Sequence, residues 1–219
     1  MSLLDGIHGD WIFRRRVETL AQKMAKLLPM RACVLDVGCG DGSLALRVSR
    51  LRPDIKIEGI DVLRREETSI PVKKFDGEHI PHASGSFDVV MFVDVLHHTS
   101  DPRILLQEAK RVASQAVVIK DHTRDGLLAG PRLRLMDWVG NARHGVVLPY
   151  NYWPRHRWQK ELKNLGFVED DWNTRVDLYP WWADWAFGSS LHFVARLRTD
   201  GYQGTDRIDS MASNGSFRK

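Results

Sequence analysis

Residues 87–93, FDVVMFV, carry apolar side chains at every position but one. A strand with one wet face alternates apolar and polar residues, so a run of this kind must be covered on both sides, as in a parallel sheet. The run stops at Asp94, far short of the ~20 apolar residues that a membrane crossing requires, and no transmembrane segment is expected. Similar short runs recur at Val34 to Val37, Lys56 to Ile60, Val72 to Phe75 and Ala116 to Lys120. Between them the apolar spacing turns helical, first through Leu44, Val48 and Leu51. A second helix has Asp101 as its N-cap, Pro102 at its first position, and Leu105, Ala109 and Val112 in phase. Ahead of the first run, Val17, Leu20, Met24 and Leu27 predict a helix over 11–28, closed by Pro29. Apolar strands alternating with amphipathic helices predict an α/β fold around a parallel sheet.

The rhythm breaks after Asp121. Residues 121–154 form a long excursion with a helix expected around Leu133 to Val139, and an excursion of that length reads as a lid or binding element. Trp158, Leu162 and Leu165 then mark a helix that stops at Gly166. Phe167 onward and Leu191 to Leu197 read as two closing strands. The aromatic stretch between them, with Trp181, Trp182 and Trp185, reads as a cover for the sheet edge. With 219 residues, 43% of them hydrophobic and 27% charged, the chain suits one domain over 1–198. The polar, period-free tail over 199–219 is expected to be loose.

A net charge of +4 is mildly basic. The arginines at 14–16, 47, 50, 52, 132 and 134 read as solvated helix faces. No basic and aromatic stripe favours a nucleic-acid partner, although one stays open. Cys33 and Cys39 offer no disulfide framework, and without an export signal the cytoplasm is the expected compartment.

The stretch VLDVGCGDGSLA (34–45) carries the chemistry. A strand, a glycine loop and a helix at the head of such a sheet place the loop at a ligand site. The dinucleotide pattern needs a third glycine where Ser43 stands, and the phosphate-binding loop needs a lysine that is missing. What remains is Gly38, Gly40 and Gly42, with Asp36 before them, Asp41 among them, and Asp61 at the tip of the second strand. A diphosphate some 5 Å from a carboxylate would lose about 3 kcal/mol per charge pair at an effective dielectric near 20. A sulfonium cofactor has the opposite need: nearby acids help it, and the helix N-terminus can take its carboxylate. A nicotinamide oxidoreductase is therefore disfavoured by Ser43 and Asp41.

Four ordered segments together give a resemblance: VLDVGCGDGSLA, then IEGIDV (57–62), FDGEHIPHASGSFDVVMFVDVLHHTSDP (75–102), and the fifth strand. Over Val34 to Val118 the chain resembles the class I S-adenosylmethionine-dependent methyltransferases, in particular their ubiquinone/menaquinone-biosynthesis-like type 11 branch. The resemblance implies a Rossmann-like, seven-stranded, mostly parallel sheet with helices on both faces, an antiparallel last strand, and a lid-like insertion after the fifth strand. It implies S-adenosyl-L-methionine as cofactor, with Asp36, Gly38, Gly40 and Gly42 around its methionine end. Asp61 and Val62 would meet the ribose, Asp76 and Gly77 the adenine amino group, and Asp94 the methionyl moiety. Asp36 also has a structural reading, bonding the glycine-loop amides, and Gly42 one of allowing close helix packing.

Methyl transfer to an activated cofactor asks mainly for alignment and exclusion of water. A hydroxyl acceptor gains from a base, and His97, His98 and His122 (the last beside Asp121) are the candidates. Tyr150, Tyr152 and Trp153 are candidates for an aromatic acceptor pocket, and no metal is expected. The resemblance argues against nucleobase-amine, cytosine and arginine methylation, because DVLHHT (94–99) replaces the motifs those chemistries use and neither cysteine follows a proline. A small-molecule or lipid-like acceptor leads. A tRNA or other macromolecular acceptor, or a non-catalytic cofactor-binding domain, are the alternatives.

Overall fold

The computed structural model describes residues 3–63, 65–126, 128–134, 151–178 and 191–199, with no side chains described before residue 15. Helix α1 (Leu3–Leu27) leads into β1 (Cys33–Val37), α2 (Ser43–Leu51), β2 (Lys56–Asp61) and β3 (Val72–Lys74). Then come β4 (Phe87–Val93), a 3-10 turn (Leu96–His98), α3 (Pro102–Val112) and β5 (Ala113–His122). Helix α4 (Arg155–Asn164), β6 (Phe167–Asn173) and β7 (His192–Thr199) close the described chain. The seven strands form one sheet in the order β3-β2-β1-β4-β5-β7-β6. β7 runs antiparallel to both its neighbours; the other described pairings are parallel.

Period-two alternation splits the core between the two faces of this sheet. Leu35, Val37, Val90, Phe92, Val117 and Ile119 face one cluster, which also holds Leu105 of α3 and Trp158 of α4. Val34, Val89, Met91 and Val118 face the other, with Leu20 and Met24 of α1 and Val48 of α2. Both faces are buried, as the apolar runs required. Asp101 caps α3 as expected, accepting the Arg103 N–H at 3.0 Å with Pro102 following it.

Two elements differ from their sequence expectation. α1 begins at Leu3 rather than near residue 11, running through Gly6 and Gly9. β5 extends to His122 rather than ending at Lys120, because β7 pairs with its polar end: Asp121 lies opposite Phe193 and His122 opposite His192. In the excursion, residues 129–134 are helical, and Ala129 and Leu133 pack on Tyr152 and Leu191. Residues 135–150, which include Tyr150 and the middle of the expected lid, lie outside the described residues, as do the tryptophans at 181, 182 and 185 and the tail beyond Thr199.

Candidate active site

β1 and β4 are neighbours, yet the chain moves from β1 towards β2 and from β4 towards β5. The strand order reverses between them, so the loops at their carboxyl ends diverge and leave a crevice. A cavity of about 450 Å³ opens there, within the size range of small-molecule sites. Its wall brings together Gly38, Gly40, Asp61, Val62, Asp76, Gly77, Asp94 and His98.

Asp61 organises the loop side of the crevice. Its Oδ2 accepts the Gly40 N–H at 2.8 Å and its Oδ1 the Leu63 N–H at 2.9 Å, tying the glycine loop to the end of β2. The Gly38 N–H reinforces that tie by donating to the Ile60 carbonyl at 2.8 Å. Asp36 does not share this work: the loop amide that it was expected to hold goes to Asp61. Asp36 follows Val34 onto the sheet face that packs α1 and α2, lies 2% exposed, and is absent from the cavity wall. Burial, then the charge of Asp61, pushes its carboxyl up to about 7.

The three loop glycines do different things. A Cβ on Gly40 would meet nothing within 4 Å, so this position faces open space, and its φ of +60° suits glycine. A Cβ on Gly38 would sit 2.5 Å from Val95, and one on Gly42 2.5 Å from Ile70. Gly42 is the N-cap of α2 and does not line the cavity; close packing is its role here.

At the far end, Asp76 Oδ1 accepts the N–H groups of Glu78 and His79 at 2.8 and 2.7 Å. These bonds, the His79 amide foremost, hold its carboxyl down at about 2. Its Oδ2 meets the exposed His79 ring at 3.1 Å. Val62 stands half-exposed at the rim beside Gly77.

The opposite end of the crevice is a buried polar cluster that the sequence only partly shows. Asp94 takes a positive φ of 57° directly after β4 and lines the cavity. Its carboxylate pairs with Lys120, which is fully buried on β5, and with Arg16 of α1 at 3.2 Å. Burial alone would raise the Asp94 carboxyl, but the charges of Lys120, His122 and Arg16 outweigh it and hold it well below the usual range. Behind it, Asp121 Oδ2 accepts the Leu96 N–H at 2.9 Å, while its Oδ1 accepts the His122 N–H at 2.7 Å and meets His97 Nδ1 at 2.5 Å. These contacts overcome the effect of burial and lower the Asp121 carboxyl too.

Of the three candidate histidines, only His98 reaches the cavity wall; its ring leans on His97 at 4.0 Å. His97 and His122 are buried one layer behind. His192 of β7, whose ring centroid lies 4.7 Å from that of His122, joins them. Sequence reading passed over Lys120 and His192, and it took Arg16 for part of a solvated helix face, whereas that side chain turns in to pair with Asp94. The available signal was a basic or imidazole side chain inside an otherwise apolar strand, which for Lys120 and His192 is present in the sequence. Tyr152 stacks on His97 at 5.5 Å, and the Trp153 ring leans on Trp158 at 4.8 Å, tilted by 53°; both are core residues that do not line the cavity.

Ligand atoms of His97, Asp121 and His122 lie within 4.8 Å of one another. The carboxylate oxygens among them already accept two backbone N–H groups and an imidazole, and the buried Lys120 charge acts on both Asp121 and His122. That arrangement suits shared protons better than an added cation.

A family profile described as "Methyltransferase domain" matches residues 11–169, which include every strand of the crevice. The chain belongs to the class I S-adenosylmethionine-dependent methyltransferase domain family. It is 27% identical over 125 residues to the 27-O-demethylrifamycin SV methyltransferase of Amycolatopsis mediterranei, covering 48% of this chain and 46% of that protein. It is 29% identical over 97 residues to the tRNA (carboxymethyluridine(34)-5-O)-methyltransferase of Schizosaccharomyces pombe, covering 42% of this chain and 41% of that protein. The chain thus matches less than half the length of these two relatives. Among solved structures, an S-adenosylmethionine-dependent methyltransferase from Aquifex aeolicus superposes with a TM-score of 0.56 at 20% identity, covering 82% of this chain and 89% of that one. S-adenosylmethionine is the cofactor of this methyltransferase domain. The crevice fits it: open space at Gly40, a carboxylate on the wall at Asp61, a second at Asp76, and no glycine-loop lysine for a phosphate. Among the described residues no helix is long and apolar enough to cross a membrane.

Proposed function

We propose that this chain is an S-adenosylmethionine-dependent methyltransferase that acts on a small-molecule or lipid-like acceptor, chiefly by positioning it. The observation that carries this reading is the convergence of residues from four loops on one cavity: Gly38 and Gly40, Asp61 and Val62, Asp76 and Gly77, and Asp94. Asp61 would hold the ribose hydroxyls, Asp76 and the Gly77 backbone the adenine amino group, and exposed Val62 the face of the ring. The backbone at Gly38 and Gly40 would hold the methionine end, with Asp94 beside it. Asp36, buried beneath, supplies negative potential rather than contact. The bound cofactor supplies an activated methyl group. The chain's part is to align the acceptor's lone pair with it and to keep water out. His98, which shares the cavity wall with Asp94, would be the side chain to touch an acceptor.

A tRNA acceptor is the second reading, favoured by the basic charge of +4 and by the printed activity of one relative. Incubation with methyl-labelled cofactor and either a small-molecule extract or bulk tRNA separates the two. Label in the small-molecule fraction is expected. Label confined to tRNA, with binding that falls steeply with salt, would replace the first reading with the second.

A further inference from the structure

Residues 75–86 join β3 to β4 without forming helix or strand, yet they carry Asp76, Gly77 and Glu78 onto the cavity wall. An ion pair on α3 ties them down. Glu108 Oε2 accepts the Ile80 N–H at 3.0 Å, and Arg111 donates to the Ile80 and His82 carbonyls at 3.0 and 2.8 Å. The two side chains meet each other through bonds of 2.8 and 2.7 Å. The Arg111 carbonyl also accepts the Gly85 N–H at 2.9 Å. The N–H groups of Glu78, His79 and Ile80 therefore go in succession to Asp76, Asp76 and Glu108. One turn before Glu108, the same helix lines the cavity with Ile104 and Leu105, so the pair links two stretches of the cavity wall.

We propose that Glu108 and Arg111 are positioning residues that make this site selective for a purine carrying a 6-amino group. This rests on the reading above, in which Asp76 meets the adenine amino group. Asp76 Oδ1 is spent on two backbone N–H groups, and Oδ2, which meets the exposed His79 ring, is the oxygen left for a ligand's donor. A 6-amino group donates to that oxygen, whereas hypoxanthine in the same pose turns a 6-carbonyl lone pair towards it and loses the bond. Telling the two apart takes placement of the carboxylate to about 0.5 Å, which a helix supplies more readily than a loop. Glu108 and Arg111 lend the loop the rigidity of α3.

The chemistry of the pair suits that task. A guanidinium is planar, and its fork spans two carbonyls and a carboxylate at once, which a lysine ammonium does not. The hydrogen bonds from Arg111 hold the Glu108 carboxyl below its usual range, so the pair stays charged at neutral pH. Ile80, 2% exposed, anchors the loop in the core, and the His82 ring packs edge-on to Phe87 at 4.9 Å. Neither Glu108 nor Arg111 lines the cavity, so their effect on a ligand passes through the loop.

The test compares calorimetric binding of S-adenosylhomocysteine and S-inosylhomocysteine to the full chain, with thermal unfolding of each variant alongside. Wild type should favour the adenosyl compound by roughly tenfold or more. Glu108→Ala and Arg111→Ala should bring that ratio close to one by weakening the adenosyl compound alone. Glu108→Gln, which can still accept the Ile80 N–H, should restore most of the ratio. Arg111→Lys, which keeps the charge but not the fork, should not, and it carries the test if Arg111→Ala fails to fold. Arg52→Ala is the control for lost stability: its guanidinium donates to the Ala25, Leu28 and Pro29 carbonyls, none of them on the cavity wall, and the ratio should stay. An unchanged ratio in Glu108→Ala and Arg111→Lys, or an equal loss for both compounds, overturns the proposal and leaves the Asp76 assignment standing. A wild-type ratio near one overturns both, and binding of neither compound overturns the methyltransferase reading itself.

Discussion

Asp36 and Asp121 are buried equally, at 2% and 0% exposure, and both stand near the carboxyl end of a central strand. Their carboxyls nevertheless move in opposite directions. Among the described residues no cation offsets the burial of Asp36, and the negative charge of Asp61 adds to it, so its carboxyl is pushed up to about 7. Asp121 is gripped by two backbone N–H groups and an imidazole and is lowered. Beneath the cofactor side of the crevice there is thus a buried carboxyl that a nearby positive charge would help to ionise. The acceptor side has its charges paired internally. Burial is the same in both regions, and the neighbours decide the chemistry.

Removing the carboxylate from the paired side should have the largest effect. Asp121→Ala strands the Leu96 and His122 N–H groups and is expected to lower stability by about 3–5 kcal/mol in urea unfolding. A loss below about 1 kcal/mol would mean that the cluster is not held together as described.

Asp36→Asn should do the reverse, and its pH dependence carries the sign. With a folded pKa near 7 against an ordinary 3.8, the folded protein binds more protons between those values. Stability contributed by Asp36 thus falls as pH rises from about 4 to about 7, by an amount on the order of 2–4 kcal/mol. The asparagine variant should gain stability over wild type at pH 8 and show little difference at pH 4. Asp121 behaves oppositely: its contribution is complete above the ordinary carboxylate range and is lost as pH falls below it. Parallel pH–stability curves for wild type and Asp36→Asn would break the comparison.

Asp61→Ala removes a cavity-wall carboxylate and should weaken S-adenosylmethionine binding by about 1.5–3 kcal/mol, roughly ten- to a hundred-fold, by calorimetry. The smallest effects come from the glycines. Gly42→Ala should cost about 1–2 kcal/mol of stability by pressing on Ile70, without touching cofactor affinity. Gly40→Ala should cost about 1 kcal/mol for its positive φ and, unlike Gly42→Ala, also weaken the cofactor.

The sequence announced the cofactor side far better than the acceptor side, for physical reasons. Apolar runs and the Asp101-Pro102 start are local signals, and β1, β2, β4 and α3 appear where these place them. Asp61 sits on a strand tip whose position follows from the run itself. The polar end of β5 could not be read that way, because Lys120, Asp121 and His122 belong to the strand only through their pairing with β7, some seventy residues later. Trp153 looked like a pocket residue because an aromatic in an irregular segment carries no mark of the face it will bury. His97 and His98 are adjacent in sequence, and only the 3-10 turn decides that one reaches the cavity and the other does not.

The central claim is a crevice whose wall carboxylates, Asp61 and Asp76, suit a positively charged sulfur rather than a diphosphate, and calorimetric titration of the wild-type chain with S-adenosylmethionine and with NAD tests it most directly. One S-adenosylmethionine per chain, with no heat from NAD, is the expected result. Saturable NAD binding without binding of the sulfonium compound would contradict it.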